Sequence, residues 1–196
     1  MFNLFAPIIT AEDNLFLCAI PPEEDVVQAL SSLGSLRALR LDGYTALFYK
    51  KYWSIVKVEV LGCIKNFFQN HFLLQEQNHT YIALVPKQSG SLTVHHFRPI
   101  ILYNIVYKII TKILANRLKT MLPKIISPLQ LAFVPSRNIQ DNTILAHKLL
   151  YSFKNKKGKR GFMFLNLDIK KAFDKMEWDF ILYVMMKLGF PSSWIN

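Results

Sequence analysis

The chain has 196 residues, 52% hydrophobic and 13% aromatic, which suits one domain or a domain and a half with a real core and excludes disorder. No uncharged apolar stretch approaches the roughly 18 residues of a membrane helix. Its net charge of +11 is concentrated between residues 98 and 171, where 15 basic side chains stand against 2 acidic ones.

Such a one-sided segment implies a polyanion: a phosphate backbone first, an anionic membrane surface second. A plain soluble basic surface is the other reading. The first ten residues are apolar but lack the cations that precede a signal-peptide core. Cys18 and Cys63 have no metal-type spacing, and two cysteines suit a reducing compartment. A location in the nucleus or cytoplasm is therefore expected.

In chain order, Pro21 and Pro22 precede Glu23, Glu24 and Asp25, an acidic first turn of the kind a helix N-terminus favours. Val26, Leu30 and Leu33 follow at helical spacing, Gly34 ends the pattern, and residues 35–47 read as loop. Trp53, Val56, Val60, Ile64 and Phe68 form the apolar stripe of a second helix. Residues 80–85 read as a strand ended by Pro86 and Lys87. From Pro99 a long helical pattern buries Leu102, Ile105, Val106, Ile109, Ile110, Ile113 and Leu114. Lys108, Lys112, Asn116 and Lys119 lie on another face, for solvation or for contact with a phosphate backbone. Pro123 and Pro128 bracket a break.

Residues 130–142 read as an irregular loop carrying Arg137, with Asp141 or Asn142 capping a helix that runs to about Phe153. Lys154, Lys156, Lys157, Lys159 and Arg160 then crowd a turn. Runs like this serve as nuclear-import signals, nucleic-acid patches or solvated turns. An apolar strand at 162–169 delivers Asp168 near its end. A charge there is costly to bury unless a metal or partner neutralises it, so Asp168 reads as a metal ligand or as a cap of the next helix. Trp178, Ile181, Leu182, Met185 and Leu188 mark a last amphipathic helix, closed by Gly189 and Pro191.

Several of these segments, in this order, resemble the reverse transcriptase of LINE-type (non-LTR) retrotransposons, particularly those of plants. Leu84-Val85-Pro86-Lys87 and Phe97-Arg98-Pro99-Ile100 resemble the first two fingers motifs. Tyr107-Lys108-Ile109-Ile110 and Leu114-Ala115-Asn116-Arg117-Leu118 resemble the helix that follows. Gln130, Ala132-Phe133-Val134-Pro135, Arg137 and Asp141-Asn142 resemble the next loop. Leu167-Asp168, Lys171-Ala172-Phe173-Asp174 and Glu177-Trp178 resemble the first palm motif.

The resemblance implies an α+β fold: a partial right-hand polymerase with an N-terminal helical extension (1–79), then fingers and an incomplete palm (80–196). It implies an RNA template, a DNA primer, a deoxynucleoside triphosphate and two Mg²⁺ ions. Asp168 and the Ile169 carbonyl would be metal ligands, with Asp168 catalytic. Lys87 and Arg98 would hold the triphosphate, and Phe173 would lie beneath the sugar. Lys108, Lys112, Arg137, Lys156, Lys157, Lys159 and Arg160 would contact nucleic acid.

The chain also departs from the family pattern. No Asp-Asp pair occurs in it, and the family's second palm carboxylates are expected to be missing beyond Asn196. In the Arg37–Gly43 stretch the family's Pro- and Gly-rich turn is reduced. Ser136 stands where the family usually has glycine, at a cost of about 1 kcal/mol if φ is positive. A fragment that does not polymerise alone is the expectation. A non-catalytic nucleic-acid-binding remnant and a truncated product without a stable fold are its rivals.

Overall fold

The computed structural model describes residues 6–34, 43–90, 93–156, 161, 163–169, 172 and 175–195. It divides into two compact units, residues 15–117 and residues 1–14 with 118–195.

In the first unit, helix α1 (Ala11–Cys18) contributes its last turn, followed by α2 (Glu23–Ser32), α3 (Ala46–Lys51), α4 (Trp53–Asn70) and the one-turn α5 (Gln75–Asn78). The acidic first turn and the Val26/Leu30 spacing produce α2 as anticipated. The short α3 starts inside a stretch read as loop, and its Ala46 is buried in the core. Strand β1 (Thr80–Pro86) pairs antiparallel with β2 (Phe97–Tyr103), in a register that sets Thr80 opposite Tyr103 and Val85 opposite Arg98.

Helix α6 (Ile105–Ile125) follows β2 directly. The helical pattern read from Pro99 thus begins six residues late. Pairing with β1 claims residues 97–103 for the ladder, and the buried Asn104 then caps α6 by accepting the Tyr107 N–H at 2.8 Å. Pro99 is tolerated because it lies in a two-stranded sheet, where each strand is an edge.

One apolar core holds Val26, Ala29 and Leu30 of α2, Ala46 of α3, Val60, Ile64 and Phe68 of α4, and Ile105, Ile109, Ile110 and Ile113 of α6. Residues on both sides of position 80 therefore share one interior. At its edge lies Arg117, only 5% exposed. Its guanidinium donates to the carbonyls of Leu17 (2.9 Å) and Ala19 (2.5 Å), which end α1, and stands 3.9 Å from the Asp25 carboxylate. The same group lies over the Phe68 ring, 4.9 Å from its centroid. Burial lowers the Arg117 pKa, and Asp25 offsets part of that shift.

In the second unit, α7 (Gln140–Asn155) and α8 (Trp178–Leu188) precede the short α9 (Ser192–Ile195). α7 begins near the expected cap but uses Asn138, whose side chain accepts the Gln140 N–H at 3.0 Å. Gly189, at φ 94°, ends α8 with a left-handed residue whose N–H returns to the Met186 carbonyl. The N–H groups of Ile8 and Ile9 both donate to the Leu188 carbonyl, and Asn14 donates to that of Gly189. Thr10 and Asp13 form a reciprocal cap at the start of α1, and Lys124 Nζ meets Asp13 Oδ1 at 2.6 Å.

The strand expected at 162–169 is not found among its described residues. Residues 163–169 carry no ladder and are exposed, Met163 to 83%. A strand is stabilised by cross-strand bonds, and no described segment pairs with this one.

Two outcomes follow from these contacts. Arg117→Ala strands two helix-end carbonyls and the Asp25 charge, and should lower stability by about 2–4 kcal/mol in urea unfolding. Arg117→Lys should recover only part, because an ammonium lacks the planar fork. The Lys124 hydrogen bond, helped by the Thr10 N–H, holds the Asp13 carboxyl at about 2 against its ordinary 3.8. That contribution is complete above pH 4 and disappears as pH falls through 2. Melting temperature should therefore drop more steeply between pH 4 and 2 in the parent than in Asp13→Asn.

Candidate nucleic-acid and nucleotide interface

Lys87 follows β1 directly, and its N–H donates to the His96 carbonyl at 2.8 Å, extending the ladder beyond the Val85/Arg98 pair. Side chains alternate along a strand, so Lys87 and Arg98 share one face of the hairpin. Both are exposed. The Lys87 ammonium also donates to the His95 carbonyl at 2.7 Å, which steadies its position over the connecting turn. At the hairpin base, Tyr103 stacks on Tyr107 of α6, ring centroids 4.5 Å apart at 11°. Asn104 Nδ2 donates to the Gln77 carbonyl there. This joint anchors a hairpin whose strands are otherwise largely exposed.

Lys108 and Lys112 are half-buried on α6, beside its core face. In the second unit Lys156 is exposed at the end of α7, while Lys157, Lys159 and Arg160 lie outside the described residues. Arg137 is spent largely on its own loop. Its guanidinium donates to the carbonyls of Ser127 and Gln130, each at 2.6 Å, and of Ile126 at 3.1 Å. A cation there meets the unpaired carbonyls that end α6, as helix ends favour.

Asp168 is exposed on the irregular segment rather than held at a strand end, and Ile169 beside it is exposed too. Phe173 lies outside the described residues. Lys87 and Arg98 thus belong to the first unit and Asp168 to the second.

Residues 85–196, more than half the chain, match the family described as reverse transcriptase (RNA-dependent DNA polymerase). The chain belongs to this reverse transcriptase family. It is 28% identical over 173 residues to the transposon TX1 uncharacterized 149 kDa protein of Xenopus laevis, a match covering 88% of this chain. It is 27% identical over 138 residues, 68% of this chain, to the retrovirus-related Pol polyprotein from type-1 retrotransposable element R2 of Nasonia vitripennis. In each case the match spans 13% of the relative's length. One is named for a transposon and the other for a retrotransposable element, and with the family match they bear out the LINE-type resemblance read from the motifs.

Reverse transcriptases work with divalent metal ions, and the described donor set does not suit a pair of them. Asp168 is one exposed carboxylate, and among the described residues no group of three or more His, Cys, Asp or Glu side chains could hold a metal. Neither is any described helix long and apolar enough to cross a membrane.

Sequence reading missed the structural weight of Asn104 and Arg117. An Asn just before an apolar helical run is a recognisable cap signal. The burial of Arg117 had no local signal, since its partners lie near residues 17–25 and 68. Ser136 does occupy the left-handed region, φ 63°, as the missing glycine suggested. Ser136→Gly should raise stability by about 1 kcal/mol, read as a higher denaturant midpoint at unchanged slope.

Proposed function

We propose that this chain forms the fingers and the first part of the palm of an RNA-directed DNA polymerase, and that alone it holds nucleic acid without extending a primer. The match of residues 85–196 to the reverse transcriptase family carries this reading. In it, residues 1–79 are a helical extension whose α2 and α4 seat α6, and residues 80–196 are the polymerase portion. Template RNA, primer DNA and a deoxynucleoside triphosphate are the ligands.

Lys87 and Arg98, sharing a hairpin face, neutralise the triphosphate, and Phe173 supports the sugar. Lys108, Lys112, Lys156, Lys157, Lys159 and Arg160 meet phosphates, while Arg137 acts through the loop it fastens. Asp168 and Ile169 occupy the family's Mg²⁺-ligand positions. One carboxylate does not hold two divalent ions, and the 196 residues contain no adjacent aspartate pair.

The purified chain should give no extension of a DNA primer on an RNA template with Mg²⁺ or Mn²⁺. Extension that disappears in Asp168→Ala would overturn this. Binding to RNA should weaken steeply with salt. Changing Lys156, Lys157, Lys159 and Arg160 together to Gln should flatten the slope of log affinity against log salt by up to about 4 units. A slope left unchanged would remove this run from the interface.

A further inference from the structure

Phe133 adopts a left-handed backbone conformation, φ 65°, and its side chain is 91% exposed. Both properties are unfavourable: a bulky residue is strained there, and an aromatic ring gains nothing from facing water. Nor is the loop slack. The neighbouring Val134 is buried, and the Arg137 guanidinium binds the carbonyls of Ile126, Ser127 and Gln130. Gln130 Nε2 reaches the Ala132 carbonyl at 3.3 Å, and Ser136 is left-handed as well. A fastened frame therefore holds the ring out in solvent.

Charge indicates what the ring meets. Between residues 119 and 156 lie Lys119, Arg137, Lys148, Lys154 and Lys156 against the carboxylate of Asp141, while Lys124 is matched by Asp13. An apolar protein surface has no use for that bias. A nucleic acid offers phosphates to the cations and a flat base to the ring. We propose that Phe133 is a stacking residue for a base of single-stranded nucleic acid. This rests on the polymerase reading and adds a named contact to it. In a duplex the bases already stack on one another, so the contact selects unpaired strand.

Fluorescence anisotropy of the full chain with single-stranded oligoadenylate RNA and with a blunt RNA duplex tests this. Phe133→Ala should weaken single-strand binding by about 5- to 150-fold, the range for losing one base–aromatic stack. The salt slope should stay the same, because the ring neutralises no phosphate, and duplex affinity should not move. Phe133→Trp should keep the affinity. Phe133→Gly removes both strain and ring, so it should raise the thermal midpoint while losing the same binding. Those opposite changes would not arise from a purely structural role. Parent-like single-strand affinity in both the Ala and Gly variants overturns the proposal and leaves the ring to a protein surface. Failure of the parent chain to bind any RNA at low salt overturns the polymerase reading as well.

Discussion

A buried guanidinium is expensive unless its donors meet fixed acceptors, and Arg117 reaches two backbone carbonyls and a carboxylate from distant parts of the chain. It closes the end of α1 through the Leu17 and Ala19 carbonyls, lies beside Asp25 of α2, and covers the Phe68 ring of α4. Because Arg117 itself is on α6, four helices are tied at one point. Apolar packing among α2, α4 and α6 supplies the bulk of the interior, but such packing is non-directional. The guanidinium adds direction, since its planar donors accept few arrangements of the surrounding carbonyls.

The β1–β2 hairpin depends on that anchored α6. Two strands alone are marginal in water, and most side chains of β1 and β2 are exposed. The hairpin is held at its base, where Asn104 caps α6 and bonds the Gln77 carbonyl while Tyr103 stacks on Tyr107. A cap and a stacked pair convert the rigidity of a helix into a fixed exit direction for the strands. Lys87 and Arg98 then share a face because the ladder register leaves them no alternative.

The second unit is built differently. Backbone bonds and an ion pair near Asp13, Leu188 and Gly189 secure the start of α1 and the end of α8. By contrast, α7 buries none of its described residues, and the segment before Asp168 stands exposed. The loop between α6 and α7 stores strain at Phe133 and Ser136 under the grip of Arg137. Strain of this kind persists only where surrounding bonds over-determine the backbone.

From sequence alone, α2, α4 and α8 were legible, because helical spacing of apolar residues, acidic first turns and a closing glycine are local signals. The family was legible too, because short motifs in fixed order survive where overall identity is 28%. The positive φ at Ser136 could be inferred from a missing glycine. Tertiary structure decided the rest. Residues 99–103 became strand rather than helix because β1 lies alongside them, and the short α3 is held by burial of Ala46. The apolar run before Asp168 has strand-like composition, yet it forms no ladder among the described residues because a ladder needs a partner that no local pattern can supply. Arg117 was one more basic residue in a basic block until the fold brought acceptors nearly 100 positions away within reach of its guanidinium.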